Sequence, residues 1–150
     1  MRNRSALSAT RGTTLIFGML AGLGGLVHGI GEVLQGNVRP DGVLIDSWTQ
    51  GPIATNMGGE PAMTIVPNLL ATGILTILLA VAVMAGAALA RNRSAGWMLL
   101  LLSVSMLLVG GGFGPPIMGI LASLAMIGSG APSDWWHRHA STRGGQLVGT

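Results

Sequence analysis

Three long stretches of the sequence contain no aspartate, glutamate, lysine or arginine: residues 12–31, 61–90 and 94–133. A helix of about 20 mostly apolar residues crosses the hydrocarbon core of a bilayer. The first two stretches therefore predict one membrane-spanning helix each, over residues 13–35 and 65–90. The third stretch is too long for one span and contains the run Gly110 to Pro116. Consecutive prolines after glycines interrupt a helix, because the ring fixes φ and removes an amide donor. Two shorter spans are therefore predicted, over residues 96–111 and 116–131.

This pattern predicts an all-α integral membrane protein whose single domain, residues 1–150, is a bundle of four transmembrane helices. Charged residues make up 9% of the chain, against about 25% in ordinary soluble domains. A structured outer loop is predicted over residues 36–64, between the first two helices, and a cytoplasmic tail over residues 132–150.

The distribution of arginine predicts the orientation of these helices. Threading four spans places seven of the eight basic residues on one side of the membrane and leaves Arg39 on the other. Short loops rich in Lys and Arg stay in the cytoplasm, so both termini are predicted to lie inside. All basic residues are arginine, which favours a GC-rich bacterial genome and hence the bacterial cytoplasmic membrane. The alternative, a cleaved N-terminal secretory signal, lacks a convincing cleavage site.

Composition excludes several classes of function. The chain has no cysteine, which rules out disulfides, thiol catalysis and cysteine-rich metal sites. Its arginines are scattered in short segments rather than clustered on one face, so nucleic acid is not expected as a partner. Hydrolase motifs such as G-x-S-x-G are also absent.

Small residues line one face of the first predicted helix, whereas the opposite face carries large apolar residues suited to lipid. Helices in membranes associate through small residues that permit close approach. We therefore expect helix packing through the following positions: Gly18, Gly22, Gly24, Gly25, Gly29, Thr72, Thr76, Gly119 and Ser123. The expected partners are the lipid bilayer and, as an alternative use of these glycines, a second copy of the chain or another membrane protein.

The outer loop is too apolar and too long to be a simple connection. We expect it to fold back over the bundle, with a short interfacial helix over residues 45–50. Such a cover predicts a polar pocket at the outer face, formed by His28, Glu32, Asp46, Gln50, Asn56, Glu60 and Asn68. The Gly110–Pro116 turn is expected to reach the same surface.

His28 and Glu32 lie four residues apart and are the only ionisable pair in any predicted span. They fit a metal pair, an acid–base pair, a proton relay or a structural hydrogen bond that holds the first helix to the outer loop. The structural reading is favoured, since a metal site needs a third and usually a fourth ligand. No cofactor is predicted, and a metal bound by His28 and Glu32 is kept as an alternative.

These features together favour a non-enzymatic binding or accessory component of the membrane, with its polar pocket at the outer face. Two alternatives stay open at this point: a transporter or channel-like subunit that uses the pocket as its mouth, and a membrane-embedded metalloenzyme that uses His28 and Glu32.

Overall fold

A computed structural model of the chain describes residues 4–48 and 59–129. Within these residues the fold consists of four helices and one antiparallel hairpin. In chain order the elements are α1 (Arg4–Gln35), β1 (Leu44–Ser47), β2 (Glu60–Met63), α2 (Leu69–Leu89), α3 (Arg93–Leu108) and α4 (Gly114–Gly128).

Helix α1 is the centre of the bundle. It packs along α2 over its largest interface and also along α4, while α3 packs against α4 and α2. Two segments, Ala9–Gln35 within α1 and Leu69–Leu89, are long and apolar enough to cross a membrane. Helices α3 and α4 are apolar but shorter, with 16 and 15 residues. The predicted tail over residues 132–150 lies outside the described residues.

The helix boundaries follow from local capping. Asn68 and Asn92 precede α2 and α3, and each side chain accepts a hydrogen bond from a backbone amide of the first turn, as N-cap residues do. Helix α2 therefore begins four residues later than predicted. The break in the third apolar stretch lies where the sequence predicts it, but α4 already begins at Gly114. Pro115 and Pro116 occupy its first turn, where no amide donor is needed.

The helix predicted over residues 45–50 is wrong for residues 45–47, and residues 49–50 lie outside the described residues. Leu44–Ser47 is a strand that pairs antiparallel with Glu60–Met63, so that Leu44 opposes Met63 and Ser47 opposes Glu60. The hairpin lies against α1 and is also tied to the end of α3, through a bridge between Thr64 and Val109. The extended conformation is favoured because pairing satisfies the backbone groups of both segments.

Small residues form the contacts between the helices. Added Cβ atoms at Gly18, Gly22 and Gly25 would lie within 2.6 Å of side-chain atoms of Ala87, Met84 and Met106, respectively. An added Cβ at Gly119 would lie 2.3 Å from the Ser103 hydroxyl. The fully buried core is likewise made mainly of small and medium residues: Ala21, Ala80, Val83, Ala87, Leu99, Met106 and Ala122. Large apolar side chains such as Ile16, Leu78 and Leu101 are at least 60% exposed, so the outer surface of the bundle is strongly apolar.

Candidate functional site

His28 and Glu32 lie one turn apart on α1, on the face covered by the hairpin and by the α3–α4 turn. Their exposed fractions are 3% and 0%. The sequence favoured a direct hydrogen bond between them that also held the outer loop. The structure instead joins both side chains to the hairpin: Ser47 bridges them, and Glu60 contacts His28 from the other side.

The four side chains form a continuous polar chain. Glu60 Oε2 lies 2.8 Å from His28 Nε2, and His28 Nδ1 lies 3.1 Å from Ser47 Oγ. The Ser47 hydroxyl in turn lies 3.4 Å from Glu32 Oε1. The Glu60 side chain is 43% exposed, whereas Glu32 is fully buried. This polar chain of four side chains therefore leads from the surface at the hairpin to a carboxyl group inside the bundle.

The hairpin register explains how two of these residues meet His28. Ser47 ends β1 and Glu60 begins β2, and the two are directly opposite each other in the ladder. The next residue, Trp48, packs its indole ring on Gly31, where an added Cβ would lie 2.7 Å from the ring. The missing side chain at Gly31 thus lets the end of the hairpin that carries Ser47 and Glu60 approach α1.

Hydroxyl groups surround Glu32, the buried end of the polar chain. Thr72 and Thr76 of α2 are fully buried, and the Thr76 side chain lies beside the Glu32 carboxyl group. Thr76 donates a hydrogen bond to the carbonyl of Val109, and Thr72 shares a 2.9 Å hydrogen bond with Thr64. Among the described residues, Glu32 Oε2 has no hydrogen-bond partner.

The turn between α3 and α4 lies against both Glu32 and His28. Gly110 and Gly112 have φ angles of +98° and +70°, which glycine adopts without steric cost. A Cβ at Gly110 would lie 2.4 Å from both carboxyl oxygens of Glu32, and one at Gly112 would lie 2.3 Å from His28 Nε2. Backbone therefore lies directly against both side chains; the sequence had predicted only that this turn reaches the same surface.

A groove of about 520 Å³ runs between α1 and α4 and ends at the exposed side of the polar chain. Among the described residues that line it, only His28 and Glu60 have polar side chains. Its walls are apolar or lack polar side-chain atoms, and are formed by Leu20, Gly24, Pro61, Phe113, Gly114, Pro115 and Met118. Leu20, Phe113 and Met118 are 38–48% exposed, so the groove opens to the surroundings of the bundle.

The remaining residues of the predicted pocket are not part of this cluster. Asp46 has an exposed side chain, and its backbone carbonyl accepts a hydrogen bond from Gln35. Asn68 caps α2 and donates a hydrogen bond to Asn37. Gln50 and Asn56 lie outside the described residues. Ser47 was missed because a single serine in an apolar loop carries no signal of its own; only the strand register places it beside His28.

The donors for a metal ion are sparse in the part of the chain that the structure describes. No group of three or more His, Cys, Asp or Glu side chains converges there. Both ring nitrogens of His28 already contact Ser47 and Glu60, so a metal at His28 and Glu32 would have to displace these partners.

The chain matches no protein-family model, no curated protein and no solved structure. Inference about its function therefore rests on the chemistry of the polar chain and of the groove.

Proposed function

We propose that this chain is a small multi-pass protein of the bacterial cytoplasmic membrane that binds an apolar organic cation at its outer face. Membrane insertion of all four helices is supported by the apolar stretches of the sequence and by the large apolar side chains that cover the outside of the bundle. Seven arginines on one side support an orientation with both termini in the cytoplasm. The hairpin and the groove then belong to the outer face.

The observation that carries the ligand proposal is a half-exposed carboxylate, Glu60, at the polar end of an otherwise apolar groove. Ligand sites are typically apolar clefts with a few placed polar groups that fix orientation. A carboxylate offers about four acceptor positions, so the contact with His28 leaves Glu60 able to bind a cationic group. The apolar part of the ligand would lie along Leu20 and Met118.

The charge of the outer segment also favours a cation. Between Gln35 and Arg91 the sequence contains one basic residue, Arg39, and three acidic residues, Asp41, Asp46 and Glu60. A surface with an excess of one charge sign raises the local concentration of ligands of the opposite sign. A positively charged ligand is therefore attracted to this face, and an anion of the same shape is repelled.

Equilibrium dialysis of the purified protein in detergent, against a detergent blank, tests this proposal with two ions of one shape. Tetraphenylphosphonium, a cation, is expected to bind, and tetraphenylborate, an anion, is not. Glu60→Gln should weaken cation binding about fivefold, equivalent to about 1 kcal/mol for a partly exposed ion pair. Asp46→Asn is the matched control, since it removes the same charge from the same hairpin outside the groove. Equal binding of both ions, or equal effects of the two variants, would refute the proposal.

A further inference from the structure

The polar chain between Glu60 and Glu32 has a property that ligand binding in the groove does not use. Each of its links joins groups that can both donate and accept a proton, and the links span 2.8, 3.1 and 3.4 Å. One end is exposed to the surroundings of the hairpin and the other end is fully buried. Such an arrangement can move a proton between the surface and the interior.

We propose that Glu32 is a reversible proton-binding site, loaded from the outer face through Glu60, His28 and Ser47. Both proposals use Glu60, but this inference does not need a cation in the groove, because it depends on the hydrogen-bonded side chains alone.

The transfer balances with three bonds broken and three formed. At the start Glu60 carries a proton taken from water, the His28 ring carries its proton on Nδ1, and Glu32 is ionised. The Glu60 proton moves to His28 Nε2, the Nδ1 proton moves to Ser47 Oγ, and the original hydroxyl proton of Ser47 moves to Glu32 Oε1. At the end Glu60 is ionised, His28 is neutral with its proton on Nε2, and Glu32 is a carboxylic acid. Release of the proton reverses each step.

The surroundings of Glu32 favour this role over a permanently charged one. Among the described residues, the hairpin contributes Ser47, Glu60 and the exposed Asp46, α2 contributes Thr72 and Thr76, and the α3–α4 turn contributes backbone. No arginine among the described residues contacts the carboxyl group. An isolated buried carboxylate is costly, and accepting a proton removes its charge. Glu32 Oε2 also has no hydrogen-bond partner among the described residues.

The link between Ser47 and Glu32 is the longest of the three. The Ser47–Glu32 separation of 3.4 Å exceeds the usual O–H···O range of about 2.5–3.0 Å, whereas the Glu60–His28 link is short. Transfer therefore requires a small approach of Ser47 to Glu32, and the rate of proton arrival at Glu32 should depend on the Ser47 hydroxyl.

Infrared spectroscopy after a rapid pH jump tests the proposal on the full chain in detergent. A protonated carboxyl group has a C=O stretch that an ionised one lacks, and Glu32→Gln assigns the band of Glu32. Ser47→Ala and Glu60→Gln are each expected to slow the appearance of this band about 100-fold, the lower end of what one positioned proton-transfer group contributes. Ser103→Ala is the matched control, because Ser103 is a buried serine whose hydroxyl bonds Leu99 of its own helix.

The outcomes are distinct. The proton path is supported if the Glu32 band appears at the wild-type rate in Ser103→Ala and more slowly in both Ser47→Ala and Glu60→Gln. A wild-type band that never changes with pH would overturn Glu32 as a proton-binding site. Wild-type rates in Ser47→Ala or in Glu60→Gln would overturn the path. Glu60 is half-exposed, so its variant keeps the test decisive if loss of the buried Ser47 hydroxyl disturbs folding. Cation binding in the groove is scored separately by dialysis.

Discussion

At Gly29 and Gly73 the backbones of α1 and α2 lie directly against each other, and substitution of Gly73 by alanine probes this contact. An added Cβ at Gly73 would lie 2.5 Å from the carbonyl oxygen of Gly29 and 2.6 Å from the backbone nitrogen of Val33. Both neighbours are backbone atoms of α1, so no side-chain rotation can relieve the overlap. The two helices must separate locally, and the contacts on either side of the crossing must loosen.

Two effects of opposite sign set the magnitude. Alanine stabilises a helix interior by about 1 kcal/mol relative to glycine, whereas overpacking of a tight interface costs about 1–3 kcal/mol. Because the overlap at Gly73 is with backbone, we expect the upper end of that range and a net loss of about 2 kcal/mol. Gly86 is buried in the same helix, but its added Cβ would lie 3.5 Å from Leu99 and 3.7 Å from Leu102. Gly86→Ala should therefore retain only the gain of about 1 kcal/mol.

The two variants are compared by unfolding the detergent-solubilised protein with increasing sodium dodecyl sulfate and following helical circular dichroism. The expected difference in free energy of unfolding between Gly73→Ala and Gly86→Ala is about 3 kcal/mol. If the two proteins unfold at the same denaturant fraction, α1 and α2 do not approach through their glycines and the packing argument is wrong.

Two further predictions use the same preparation or intact cells. Glu32→Gln resembles the protonated acid and should lower the free energy of unfolding by less than about 1 kcal/mol. Glu32→Leu leaves the buried Ser47 hydroxyl without its acceptor and should lower it by about 1–3 kcal/mol. Equal losses of unfolding free energy would contradict a hydrogen bond between Ser47 and Glu32. Because the chain has no cysteine, Val43→Cys and Ser94→Cys, both at exposed positions, can be labelled in intact cells by an impermeant thiol reagent. Only Val43→Cys should react, and reaction of Ser94→Cys would contradict the proposed orientation.

The helices could be predicted from the sequence because their signals are local. Uncharged stretches locate them, and the glycines and prolines from Gly110 to Pro116 divide the last two. The first residues of α2 and α3 were harder to predict, because each depends on whether one asparagine side chain, Asn68 or Asn92, accepts a hydrogen bond from a backbone amide of the first turn. The face of α1 that carries small residues could also be predicted, because the spacing of residues along the sequence gives their position around a helix of 3.6 residues per turn.

The hairpin could not be predicted in the same way. Its strands are short and separated along the chain, and Pro61 lies inside the second one. Their register depends on contacts with α1 and α3 that no local pattern encodes. For that reason His28, Glu32 and Glu60 could be predicted as candidate site residues from their chemistry, whereas Ser47, which lies between His28 and Glu32, could not. A polar chain is a property of the register, and register is a tertiary property.

The glycines of the α3–α4 turn affect both the packing of the bundle and the side from which the buried Glu32 carboxyl group can be reached. The backbone at Gly110 and Gly112 lies against Glu32 and His28 with no side chain between them, while Thr72 and Thr76 fill the α2 side. Water is therefore kept away from Glu32 on the sides formed by α2 and the α3–α4 turn. Within the described residues, Glu60 is the only member of the polar chain with substantial exposure. On the proposed path, a proton that reaches Glu32 from the hairpin surface passes His28 and Ser47. A larger residue at Gly110 would push the turn off Glu32 and open a second route, so that proton arrival would no longer depend on Ser47.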